Sequence, residues 1–90
     1  MRHYARLTAY AAQLFNRGLA AANAGDLESA RDLFAAVVYW CPLDGEARNA
    51  LALACHRLGD TASARSHWSE VLARSPDDPV ATAGLAASGG

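Results

Sequence analysis

The residues of this 90-residue chain best suited to chemistry are two cysteines, three histidines and a few closely spaced carboxylates. Cys55 is followed directly by His56, a pairing that invites a nucleophile reading because a thiolate is generated by a neighbouring base, usually histidine. On a helix, however, adjacent side chains point roughly 100 degrees apart, so the two cannot meet. Cys55 falls instead on an apolar helical stripe, where a small buried cysteine is ordinary. Cys41 precedes Pro42 in a loop with no adjacent cation to activate it. Two cysteines 14 apart, without a second pair, match neither a disulfide framework nor four-ligand zinc spacing. His3, His56 and His67 are too scattered for a ligand set. The expectation is no catalytic residue, no metal and no cofactor.

The carboxylates have a simpler role. Asp77-Asp78, and Asp44 with Glu46, stand at predicted helix starts, where negative charge is favoured by the helix dipole. Gly25-Asp26 and Gly59-Asp60 punctuate turns and lack the longer glycine pattern of a phosphate loop. All 8 basic residues are Arg, spread along the chain against 9 acidic ones for a net charge of -1, so no basic stripe addresses nucleic acid or an anionic membrane. No apolar run approaches the roughly 18 residues of a membrane span, and no secretory leader pattern opens the chain. With cysteines suited to a reducing compartment, this composition predicts a cytoplasmic protein, complete from Met1 to the loose Ser88-Gly89-Gly90.

The elements that position these residues are helices. Ala fills 22 positions, and Ala and Arg are strong helix formers. At an offset of 34 the sequence matches itself: Gly25-Asp26 with Gly59-Asp60, Ser29-Ala30-Arg31 with Ser63-Ala64-Arg65, Val37 with Val71, and Pro42 with Pro76. That is 7 identities over the 18-residue windows 25–42 and 59–76, where unrelated segments share roughly one or two. Phe34 faces Trp68 in the same alignment.

Apolar residues at steps of three and four predict a helix over 3–24 (Leu7, Ala11, Leu14, Gly18, Ala21), stopped by Gly25. Asp26 caps a second over 26–41 carrying Ala30, Leu33, Phe34 and Val37, ended by Pro42. Asp44 caps a third over 44–58 with Ala47, Leu51, Cys55 and Leu58. A fourth over 60–75 carries Ala64, Trp68, Val71 and Leu72. Asp78-Pro79 opens a short fifth over 79–87. Turns of two to four residues force neighbours to run antiparallel, so the chain reads as one all-α domain, residues 1–90: two helical hairpins in series and a capping helix.

The period of 34, the helical hairpin and these residues together resemble the tetratricopeptide repeat (TPR) family. Its frame corresponds to Leu14, Arg17-Gly18, Ala21, Ala30, Phe34 and Pro42 in the first unit. In the second it corresponds to Arg48, Leu51-Ala52, Cys55, Ala64, Trp68 and Pro76. Arg17 and Arg48 stand where the pattern wants large apolar groups, and Ala21 and Cys55 replace the usual Tyr. The resemblance covers residues 11–78 and implies an α-solenoid fragment of about five helices. It further implies a non-catalytic module that binds a peptide or helix of a protein partner in the groove lined by first helices. The groove positions it implies are Phe15, Asn16, Leu19 and Asn23 from unit one, and Asn49, Leu53, His56 and Arg57 from unit two. A carboxylate clamp of the kind some members use is absent, because Phe15, Leu19, Ala50, Val80 and Gly84 occupy its places.

The residues themselves leave Phe15, Leu19 and Leu53 on stripes adjacent to the hairpin core. They serve an adaptor or assembly factor through partner burial, or pack on one another across the repeats. Two repeats and a stub fall below the roughly three that an independent solenoid usually needs, so a homo-oligomer whose groove is filled by the Met1 to Tyr10 arm or a symmetry mate stands beside the adaptor reading. Trp40, after Tyr39, is expected to pack between the repeats, as tryptophan is generally buried.

Overall fold

The computed structural model describes the backbone of residues 2–89 and the side chains from Thr8 onward. The described residues form five helices: α1 (Arg2–Asn23), α2 (Leu27–Trp40), α3 (Gly45–Arg57), α4 (Thr61–Arg74) and α5 (Pro79–Ala87). The parts assigned above to His3, to Leu7 and to residues 1–7 of the Met1 to Tyr10 arm lie outside the described side chains.

Each boundary follows from a few residues. Gly25 and Gly59 adopt φ of 83° and 89°, a left-handed geometry that costs glycine no Cβ clash. Each lets the next N–H turn back into the helix just ended: Asp26 donates to the Ala21 carbonyl and Asp60 to that of Cys55, both at 2.9 Å. The same aspartates then open the next helix, accepting the Ser29 N–H at 3.2 Å and the Ser63 N–H at 3.1 Å. Those bonds, from side chain and backbone, hold both carboxyls below their ordinary range. Asp44 and Asp78 cap α3 and α5 on the N–H groups of Ala47 and Ala81.

The helices stack as α1·α2, α3·α4 and then α5, each packed on its neighbours in the chain. The molecule measures 43 × 30 × 17 Å, and its thin axis leaves room for scarcely two helices of about 10 Å diameter. One cluster, Ala11, Leu14, Val37 and Ala47, ties the first hairpin to the start of α3. The larger one runs from Ala30 and Phe34 through Leu51, Ala52 and Cys55 to Trp68 and Ala81. Phe34 lies against Gly18, where an added Cβ would come within 2.6 Å of its ring. The Trp68 indole lies on Gly84 of α5, and a Cβ there would overlap it.

Arg48, standing where the family pattern wants a large apolar group, makes polar contacts in the second hairpin. Its guanidinium reaches the Pro42 carbonyl at 3.2 Å and His67 Nδ1 at 3.3 Å, joining α4 to the α2–α3 turn. Burial, and then the Arg48 charge, lower the His67 pKa.

The expectation for Trp40 needs correcting. It is 46% exposed and Tyr39 77%, so the pair does not pack between repeats. Trp40 ends α2 and makes edge contacts with Tyr10 and Tyr39 instead.

Candidate functional site

Two sets of large apolar side chains remain exposed among the described residues: Leu19, Leu53 and Val80, and Tyr10, Tyr39, Trp40 and Leu43. The first set is concave. Leu53 projects from the middle of α3 into the meeting point of three hollows. One, of about 470 Å³, is walled by Phe15 and Leu19 of α1, Glu46, Asn49 and Leu53 of α3, and Val80. A second, of about 450 Å³, lies between α3 and α5 over Leu53, His56, Trp68, Val80, Ala83 and Gly84. A third, of about 100 Å³, continues past Leu19, Ala22 and Phe34 to Arg57.

Spacing explains this convergence. Leu19 and Leu53 are 34 apart and occupy the same turn of successive first helices. Asn49, Leu53 and His56 follow at steps of four and three on one face of α3. Glu46 and Asp78 place carboxylates at one end of the trough and Arg57 a guanidinium at the other.

The eight positions singled out from sequence are not equivalent in the fold. Leu19 and Leu53 are each 42% exposed. Phe15 is half-buried, its ring 5.4 Å from that of Phe34, so it is both wall and core. Asn49 is only 8% exposed, and its amide donates to Asp78 Oδ2 at 3.1 Å. The same Asp78 oxygen accepts the Ala81 N–H at 2.8 Å, so Asn49 locks α3 to the cap of α5. His56 is half-buried beside the Trp68 ring, and Arg57 is exposed. Asn16 is exposed on a separate hollow of about 220 Å³ with Ala12, Val37 and Cys41. Asn23 is exposed at the end of α1 and lines none of these hollows.

Val80, 55% exposed, was not among those eight positions. The 34-residue register carries the signal: Val80 aligns with Glu46, a wall of the same trough. Asn49 Oδ1, His56 Nδ1 and Trp68 Nε1 are buried polar atoms without a protein partner, and all three belong to residues lining the trough.

The thiols take no part in it. Cys55 is 4% exposed, and burial, followed by the Asp60 charge, raises its pKa. Among the described residues no group of three or more His, Cys, Asp or Glu is placed to hold a metal, and no helix is long and apolar enough to cross a membrane.

A helical array of hairpins with a trough along its first helices defines a repeat module. The sequence model of the tetratricopeptide repeat family matches residues 15–79, more than two thirds of the chain. The chain belongs to the tetratricopeptide repeat family, whose repeats generally mediate protein–protein interaction and are typically non-catalytic. No curated protein matches it.

Proposed function

We propose that the protein is a cytoplasmic adaptor or assembly factor that holds a peptide or helix of a protein partner in the trough centred on Leu53. The observation that supports this reading is the junction of three hollows at one exposed leucine, flanked by exposed Leu19 and Val80. Such a side chain contributes roughly 1.5–3 kcal/mol between full exposure and full burial, so the three, already about half-buried, supply part of a micromolar-class interaction after association costs. Arg57 at one end, with Glu46 and Asp78 at the other, sets the direction of the bound segment. Asn16 and Asn23, which stand apart from the three hollows, contact flanking parts of the partner.

Capture from the native extract by wild type and by Leu53→Arg, side by side, tests it. A partner held by the wild type and released by the variant, at unchanged helical circular dichroism, is the expected result. Equal retention by both proteins overturns the reading. Loss only of self-association in Leu53→Arg would replace it with the homo-oligomer in which the Met1 to Tyr10 arm or a symmetry mate fills the trough.

A further inference from the structure

The trough changes chemistry along its length. Beside the start of α3, the hollow of about 470 Å³ takes Glu46, Asn49 and Asp78 into its wall, and the neighbouring one of about 220 Å³ shares Glu46 and adds Asp44. Among the described residues no arginine or histidine lines either hollow, and the chain contains no lysine. Arg48, two residues from Glu46, is engaged with the Pro42 carbonyl and His67 and lines neither. Arg57 and His56 line the other two hollows. One end of the trough is therefore anionic without a counter-charge of its own.

A second feature of the same end calls for a donor. Asn49 is 8% exposed, and its amide nitrogen donates to Asp78 Oδ2. That oxygen also takes the Ala81 N–H, so it acts as an acceptor and holds the Asn49 nitrogen, rather than the Asn49 oxygen, toward itself. Asn49 Oδ1 is thereby left buried and without a partner in a residue that walls the hollow. A buried acceptor without a donor is unfavourable, and a donor arriving with a ligand relieves it. The groups that Glu46, Asn49 and Asp78 have left to offer are all acceptors, and the hydroxyl of Ser75 beside them accepts as readily. An ammonium or guanidinium group, cationic and donor only, is their chemical complement.

We propose that the occupant is a basic, apolar segment of a partner protein: a lysine or arginine enters between Glu46 and Asp78 while a large apolar side chain covers Leu53. This rests on the trough being the site that holds a partner. Glu46 and Leu53 are seven residues apart on α3, about 10 Å along its axis. A bound helix running along α3 therefore carries its cation about seven positions from the apolar anchor, and an extended segment about three. The order is set too, because Arg57, four residues beyond Leu53, repels a cation at the opposite end. An acidic segment, or a free C-terminal carboxylate, meets Glu46 and Asp78 with like charge and is rejected.

Selection of displayed random peptides of about 16 residues, some four helical turns, on the immobilised full chain tests the proposal. The wild type should enrich Lys or Arg at those spacings from Leu, Phe or Trp. Leu53→Gln, which removes the apolar contact without adding charge, should not retain the enriched peptides. The best of them, synthesised and followed by fluorescence anisotropy, should bind Glu46→Lys at least about tenfold more weakly than wild type, at unchanged helical circular dichroism. Glu70→Lys, the same charge change on α4 outside the trough, should stay within about twofold. Replacing the peptide's cation by norleucine should weaken binding to the wild type and strengthen it to Glu46→Lys. Peptides that need Leu53 but are enriched in Asp or Glu, or that bind Glu46→Lys as well as wild type, overturn the proposal and leave the trough in place as the binding site. Peptides held equally by Leu53→Gln overturn the trough itself, and an unenriched pool overturns both.

Discussion

The two junctions between successive hairpin units solve one packing problem in opposite ways. At the first, Phe34 is accommodated by Gly18 on the preceding first helix and packs with Ala50 on the following one. At the second, the larger Trp68 aligns with Phe34, but the glycine has moved: Ala52 takes the place of Gly18, and Gly84 that of Ala50. The paired arginines diverge in the same way. Arg31 acts on Asp60 at the end of α3, whereas Arg65 donates to the Leu85 and Ser88 carbonyls at the end of α5. What the duplication preserves is the space around an aromatic ring and a cation near the end of the next helix. The residues supplying them are free to trade places.

Exchanging the two solutions should have the largest effect. Gly84→Ala puts a Cβ into the Trp68 ring and should cost toward the upper end of about 1–3 kcal/mol, measured by urea denaturation. Adding Trp68→Phe puts the smaller ring of the first junction opposite that Cβ, so the double variant should be less destabilised than the sum of the singles, with a coupling of at least about 0.5 kcal/mol. Strict additivity would show that the glycine has no special relation to the ring.

A smaller difference separates the two caps that follow the proline turns. Asp44→Ala removes one cap bond at a cost of about 1 kcal/mol. Asp78→Ala should cost about 1 kcal/mol more, because it also strands the buried Asn49 amide. Equal losses would show that the Asn49 bond contributes nothing net.

The smallest effect concerns pH. His67 aligns with Leu33, so at this position the second hairpin carries a half-buried imidazole where the first has a leucine, held below its ordinary 6.5 chiefly by burial and then by Arg48, with Glu70 and Asp60 acting in the opposite sense. Well above pH 6.5 neither folded nor unfolded chain is protonated there. As the pH falls through 6.5 the unfolded chain takes up the proton first, and stability declines. His67→Leu should flatten the decline between pH 6.5 and about 5, above the ordinary carboxylate range. A slope unchanged by the substitution would assign it to other groups.

Much of this fold is legible in the sequence because its signals are local. Asp26, Asp44, Asp60 and Asp78 cap helices, and Gly25 and Gly59 end them, through bonds spanning only a few residues. The trough is legible to the extent that a stripe is: Leu19 and Leu53 can be placed by counting. Asn49 lies on the same stripe, yet its burial depends on Asp78, 29 residues away, which no helical period reveals. The duplication itself carries a signal for the exposure of Trp40, since its aligned position holds exposed Arg74.

The thin stacked build also governs how the chain reaches its shape. Substantial contacts join helices adjacent in sequence, apart from a small one between α3 and α5. Folding therefore closes only short loops, a topology associated with microsecond-to-millisecond rates. Synthesis adds only about 5–20 residues per second, so the first hairpin has time to close while α4 and α5 are still being made. Helix α5, packed on α4, then docks after both hairpins.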